Sequence, residues 1–185
     1  MQDVENLLSI LEQTKKAIQK EDTATIKNLS DRTNNTVART HDPDNITLAV
    51  IIYAMSKIIE RRQYRNYPGW NRFYKNVNVY FDKLIFCLKQ KNEECFSNTL
   101  KLIRAEIDNL SGKLRRYIQD VFRKAEINKA SKIYEHGISL EKTAKLLGIT
   151  MYEVAGYSGQ TDIVDESLNK LNVKTRIKNA MEIFR

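Results

Sequence analysis

The chain has 185 residues, 42% of them hydrophobic and 29% charged, enough apolar side chain for one core or two small ones. Six glycines and two prolines are too few to turn an all-β chain, and they suit long helices joined by short polar loops. Charge is uneven: residues 1–60 hold seven basic and nine acidic side chains, residues 61–136 seventeen and eight, residues 137–185 seven and six, so the net +8 resides in the middle, where an acidic partner such as nucleic acid is expected.

In chain order, Val4, Leu7, Leu8, Leu11 and Ile18 recur at three and four, which predicts an amphipathic helix. A weaker helix carrying Ile26, Leu29, Thr33 and Val37 follows the polar stretch 20–25. Asp42 before Pro43 has the form of an N-cap followed by a first-turn proline. It opens a helix apolar nearly all round (Ile46, Leu48, Val50, Ile51, Ile52, Met55, Ile58, Ile59), expected as the centre of a bundle. Asn66-Tyr67-Pro68-Gly69 is expected to break it.

Trp70, Phe73, Val77, Tyr80, Phe81, Leu84, Ile85 and Leu88 predict a long amphipathic helix, and Phe96, Leu100, Ile103, Ile107 and Leu110 another. Leu114, Tyr117, Ile118, Val121 and Phe122 keep that phase beyond Ser111-Gly112, so the pattern fits one bent helix or two. The helical signal stops at His136-Gly137. No fixed-period repeat and no low-complexity segment is visible.

Little in the chain can do chemistry. The two histidines, His41 and His136, are far apart and lack ligands at metal spacing. Asp42 and Asp44 read as capping residues rather than a cation loop. Phosphate-binding glycine loops, nucleophile elbows and zinc-protease motifs are all missing, so the protein is expected not to be an enzyme, with no metal and no cofactor. Cys87 and Cys95, eight apart within helical pattern, read as buried thiols, with a disulfide as the weaker alternative. Polar, acidic first residues argue against a secretory leader, and the most apolar run, 46–59, is too short to span a bilayer, so a cytoplasmic protein without a membrane partner is expected.

Residues 139–157 read SLEKTAKLLGITMYEVAGY, in which Ala144, Gly148 and Val154 have the small, glycine and branched spacing of a helix-turn-helix. Leu147, Ile149 and Tyr157 fill its other buried places, and Thr150 with Glu153 forms a capping box that starts the second helix. The fold expected is all-α, a helical bundle body over 1–136 followed by a helix-turn-helix-like module over 137–185. Thr150, Met151, Tyr152 and Glu153 offer no long cationic or amide side chain to read a base, so this surface suits a protein partner better than a major groove.

The stretch from Gly137-Ile138-Ser139-Leu140 through Ala144, Leu146-Leu147-Gly148-Ile149-Thr150 and Tyr152-Glu153, with Val173-Lys174, Arg176-Ile177 and Ala180 beyond, resembles a family of small prokaryotic, often archaeal, helix-turn-helix proteins. That family is encoded beside PIN-domain ribonuclease toxins, and the resemblance implies an antitoxin-like role for the last quarter of the chain. The second signal is central. Arg61, Arg62, Tyr64, Arg65, Tyr67, Arg72 and Lys75 interleave cations with aromatics, a pattern that suits phosphate contact and base stacking on DNA or RNA, or else an acidic protein partner. Lys113, Arg115 and Arg116, then Arg123 and Lys124, add cationic clusters on a later helix. The function expected is that of a nucleic-acid-associated regulatory or adaptor protein, the alternative a protein-binding scaffold docking through its tail.

Overall fold

The structure, a computed structural model, describes residues 3–40, 42–135, 139–147, 149–153 and 155–156. The His136-Gly137 stop, His41, Gly148, Val154, Tyr157 and the run from Val173 lie outside the described residues. The protein is all-α, with no strand among the described residues. The elements are α1 (Val4–Gln19), α2 (Thr23–Thr40), α3 (Pro43–Glu60), a 3-10 turn (Arg62–Asn66), α4 (Trp70–Lys89), α5 (Glu93–Asp108), α6 (Gly112–Glu135) and α7 (Leu140–Leu147). The region after Glu93 is therefore two helices. Asp42 caps α3 through its side chain, which accepts the Asp44 N–H at 2.9 Å. Buried on nearly every side, α3 packs against α1, α2, α5, α6 and α7.

The first six helices are one construction built twice, seventy residues apart. The α1–α2 turn puts Glu21 at φ 56° and the α4–α5 turn puts Lys91 at φ 51°. Asp22 and Asn92 then cap the next helix, accepting the N–H of Thr25 at 3.0 Å and of Cys95 at 2.8 Å. Thr23 and Glu93 begin those helices. Buried positions follow the same offset: Leu7 and Val77, Leu11 and Phe81, Ile18 and Leu88, Ile26 and Phe96, Leu48 and Ile118, Ile51 and Val121, Ile52 and Phe122. The repeat missing from the sequence pattern is thus present in burial and capping. It was invisible because an apolar residue is conserved in kind at these places while its identity changes.

One difference in helix packing separates the halves. In the first, α2 lies along α3 so closely that Ser30 Oγ donates to the Ala49 carbonyl at 2.8 Å. In the second, α5 leaves α6 and opens a cleft of about 320 Å³ lined by Arg104, Ile107, Asp108, Gln119, Phe122, Arg123 and Glu126. The cause is in the side chains. Small Ala49 and Ser56 of α3 correspond to Gln119 and Glu126 of α6, which are too large and too polar for a helix to close over.

The halves meet through α1 against α4 and through α6 against α2 and α3. Lys89 pairs with Glu12 at 2.9 Å, and Lys15 pairs with Asp82. Lys129 is fully buried between the halves; its ammonium meets Asp31 at 2.9 Å and lies 4.8 Å from the centre of the Tyr53 ring. Burial pushes Lys129 down to about 8 although Asp31 opposes the shift. Lys132 reaches the same Asp31 oxygen at 3.2 Å.

Cys87 and Cys95 correct a second expectation. They form a disulfide, with Cα atoms 5.6 Å apart, because the last turn of α4 and the first turn of α5 face each other across a three-residue connection.

Candidate nucleic-acid interface

Three elements that are distant in sequence converge at one end of the bundle. Arg72, in the first turn of α4, donates to the carbonyl of Asn109 just past α5 at 2.9 Å. Tyr117, in the second turn of α6, packs against Tyr64 and Tyr67 with ring centroids 5.6 Å from each. Arg115 pairs with Asp108 at 3.6 Å. Arg61, Arg62, Arg65, Arg72, Arg115 and Arg116 are thereby gathered at this end, and Lys75 stands one turn further along α4. A cleft of about 240 Å³ lies between Tyr67-Pro68 and Ser111, Gly112, Lys113 and Leu114.

The break before α4 differs from the expected one. The central helix ends at Glu60, ahead of Asn66-Tyr67-Pro68-Gly69, and the 3-10 turn that follows swings Tyr64 inward. Tyr64, expected as an exposed stacking residue, is only 6% exposed. One face of its ring stacks on Tyr117 at an interplanar angle of 7°, the Arg61 guanidinium lies 5.8 Å from its centroid, and its hydroxyl accepts from Arg61 at 3.1 Å. No face is left for a base, so Tyr64 is a structural residue. Tyr117, assigned to the buried phase of its helix, is instead 41% exposed beside the half-buried Tyr67. The Tyr117 hydroxyl beside it pushes the Tyr67 phenol up. Spacing alone could not have found Tyr117, because it depends on the turn that brings Tyr64 and Tyr67 across.

The cations here fall into two kinds. Arg65 is engaged by Glu21 at 2.8 Å, and that bond holds the Glu21 carboxyl below its usual range. Arg72 also approaches the buried Glu106 at 3.8 Å. By contrast, Arg62, Lys75, Lys113 and Arg116 have no carboxylate within ion-pair distance among the described residues. An anion arriving at Lys113 or Arg116 has no ion-paired carboxylate to displace, whereas Arg62, without an ion pair of its own, acts at longer range on Glu21 and helps hold its carboxyl low. The other cationic cluster is already spent: Lys124 pairs with Asp120 at 2.8 Å, and Arg123 with Glu126 and Glu153.

The tail supplies the second surface. Ala144, Leu147 and Ile149 are buried and belong to the same apolar cluster as the body, where α7 rests on α6 and α3. The capping box forms: the Thr150 N–H donates to Glu153 at 2.9 Å, and the Glu153 N–H donates to the Thr150 hydroxyl at 3.3 Å. Those bonds from Thr150, with Arg123 assisting, hold the Glu153 carboxyl low. Met151 and Tyr152 then point outward, Tyr152 with 88% of its surface exposed. Deeper in the larger cleft, burial pushes the Glu126 carboxyl up despite Arg104 and Arg123 beside it.

Asp44 receives a hydrogen bond from Ser97 at 3.3 Å, and burial pushes its carboxyl up. No cluster of three metal-ligating side chains occurs among the described residues, and no helix among them is long and apolar enough to cross a membrane. No protein-family model, curated protein or solved structure matches the chain.

Proposed function

We propose that this protein associates with nucleic acid through the cationic end of its helical body, as a regulatory or adaptor protein that binds chiefly by backbone electrostatics. What carries the reading is the set of cations without an ion-paired carboxylate, Arg62, Lys113 and Arg116, near the Tyr67–Tyr117 pair and the cleft beside Tyr67. Phosphates exchange condensed counterions for such side chains, and binding of this kind weakens steeply with salt. Arg61, Arg65, Arg72, Arg115 and Lys75 complete the positive field.

The test is binding of labelled single- and double-stranded DNA and RNA between about 50 and 300 mM salt, a range chosen to expose the counterion contribution. Changing Arg62, Lys113 and Arg116 together to Gln should flatten the logarithmic salt slope by roughly 2–3. Sequence preference should hardly change, since backbone contacts position without specifying. An unchanged slope, or no binding at low salt, sinks the proposal.

A second reading has its own support. The outward Tyr152 and Met151, held on a capped turn, suit a protein hot spot, in keeping with the antitoxin-like resemblance of this part of the chain. Tyr152→Ala should then weaken a protein partner and leave nucleic-acid binding intact.

A further inference from the structure

The internal repeat provides a control for the exposed face of the α4–α5 hairpin. Val79 and Phe86 on α4 are 53% and 59% exposed, and Leu102 on α5 is exposed as well. Their counterparts seventy residues earlier are Ser9, Lys16 and Arg32. The first half makes the same hairpin with polar side chains at all three places, so the fold does not require apolar ones there.

The three lie together. Cys87 is bonded to Cys95, and Asn76 donates to Glu106 at 3.0 Å, an antiparallel register that brings Leu102 level with Tyr80, next to Val79. Phe86 is two turns from Val79, about 10 Å at 1.5 Å per residue. Between them stands Lys83, with Lys75 one turn before Val79 and Lys101 next to Leu102. Lys75 and Lys83 have no ion-paired carboxylate among the described residues, Lys101 acts on Asp44 of α3 without an ion pair, and Asp82 is drawn to the opposite side by Lys15 of α1.

We propose that this face is a docking site for an acidic amphipathic helix of a partner protein. Apolar anchors two turns apart match side chains i and i+7 of a bound helix, and Lys75 and Lys83 beside and between them match acidic flanks. An anionic bilayer fits less well, because exposed Glu93, Glu94 and Asp108 bound the face at both ends of α5 and a flat charged plane would meet them. The site shares Lys75 with the cationic end but is otherwise distinct from it, and its apolar anchors do not depend on the nucleic-acid reading.

The experiment selects a displayed library of random peptides on the full-length protein and measures the enriched peptides by fluorescence anisotropy. The expected result is enrichment of acidic sequences with apolar residues at i, i+3 or i+4, and i+7. Affinity should fall at least about tenfold in Val79→Ser/Phe86→Lys/Leu102→Arg, which installs the side chains of the first half, with the melting transition retained. Lys83→Glu, a second variant at an exposed position, should weaken the same peptides and favour basic ones. Enriched peptides of another pattern, or affinities indifferent to both variants, would overturn the proposal. So would capture of vesicles of equal parts phosphatidylcholine and phosphatidylserine through these residues, or a dimer in sedimentation that the triple variant dissolves.

Discussion

The two halves share turns, caps and buried positions, yet they use charge in opposite ways. Residues 1–60 have a small acidic excess, and residues 61–136 exceed neutrality by nine cations. Where α1 begins with Asp3 and Glu5, α4 begins with Arg72 and Lys75; where α3 begins at Asp42 and Asp44, α6 begins at Gly112 and Leu114 and soon reaches Arg115 and Arg116. A scaffold that folds with either set does not need the cations for its fold. The exception is Lys129, which stands where the first half has Ile59.

The comparison breaks most severely at that exception. Asp31→Asn leaves the Lys129 ammonium buried beside a neutral amide, and the expected loss is about 3–5 kcal/mol. Lys129→Ile restores the residue of the first half and leaves Asp31 with Lys132, so it should cost far less or stabilise. Urea unfolding of the two variants measures the asymmetry, and equal losses would show that the buried pair is not what holds the seam.

Next in size is the disulfide. Cys87→Ala with Cys95→Thr copies Ala17 and Thr25, which close the corresponding turn without a bond. Folding should survive, with about 2–3 kcal/mol lost on the chain-entropy account of a loop this short, and the loss should match that produced by reductant in the wild type.

Lys129 also sets a pH signature. Its ammonium is lowered from 10.5 to about 8 by burial, so between those values the folded protein has released a proton that the unfolded chain still holds. The unfolded state binds more protons, and stability from this group therefore rises with pH across that window, by on the order of 3 kcal/mol. Below about pH 8 both states are protonated and the dependence vanishes. Lys129→Ile should remove the rise.

The smallest effect sharpens the likeness between the halves. Asn92→Ala removes the cap on the Cys95 N–H and should cost about 1 kcal/mol. Asp22→Ala should act in the same direction on α2, and also remove a carboxyl that Thr25 holds below its usual range. Thermal melts at neutral pH compare them.

Periodicity made most helices legible, and the Asp42-Pro43 start and the Thr150–Glu153 capping box were readable because a cap is written in a few neighbouring residues. What escaped depended on contacts distant in sequence. Tyr64 and Tyr117 looked exposed and buried respectively; the 3-10 turn after Glu60 reverses both. Lys129 is a lysine among charged neighbours on α6, and only the approach of Asp31 and Tyr53 from two other helices makes it a core residue. The cationic end was legible as a composition, while the division between Arg65, ion-paired with Glu21, and Arg62, which acts on it only from a distance, required the position of Glu21.

The packing of α6 against α3 has a kinetic side. The α1–α2, α2–α3 and α4–α5 pairs join segments adjacent along the chain, whereas α3 and α6 are separated by some seventy residues. Hairpins of the first kind assemble from local encounters, and closing the long loop between α3 and α6 carries an additional entropic cost before its contacts reward it. The local helix pairs are therefore expected to form first and the contact of α6 with α3 to close last. Substitutions inside a half should slow refolding, while Asp31→Asn at the seam should chiefly accelerate unfolding, which stopped-flow measurement of both limbs distinguishes.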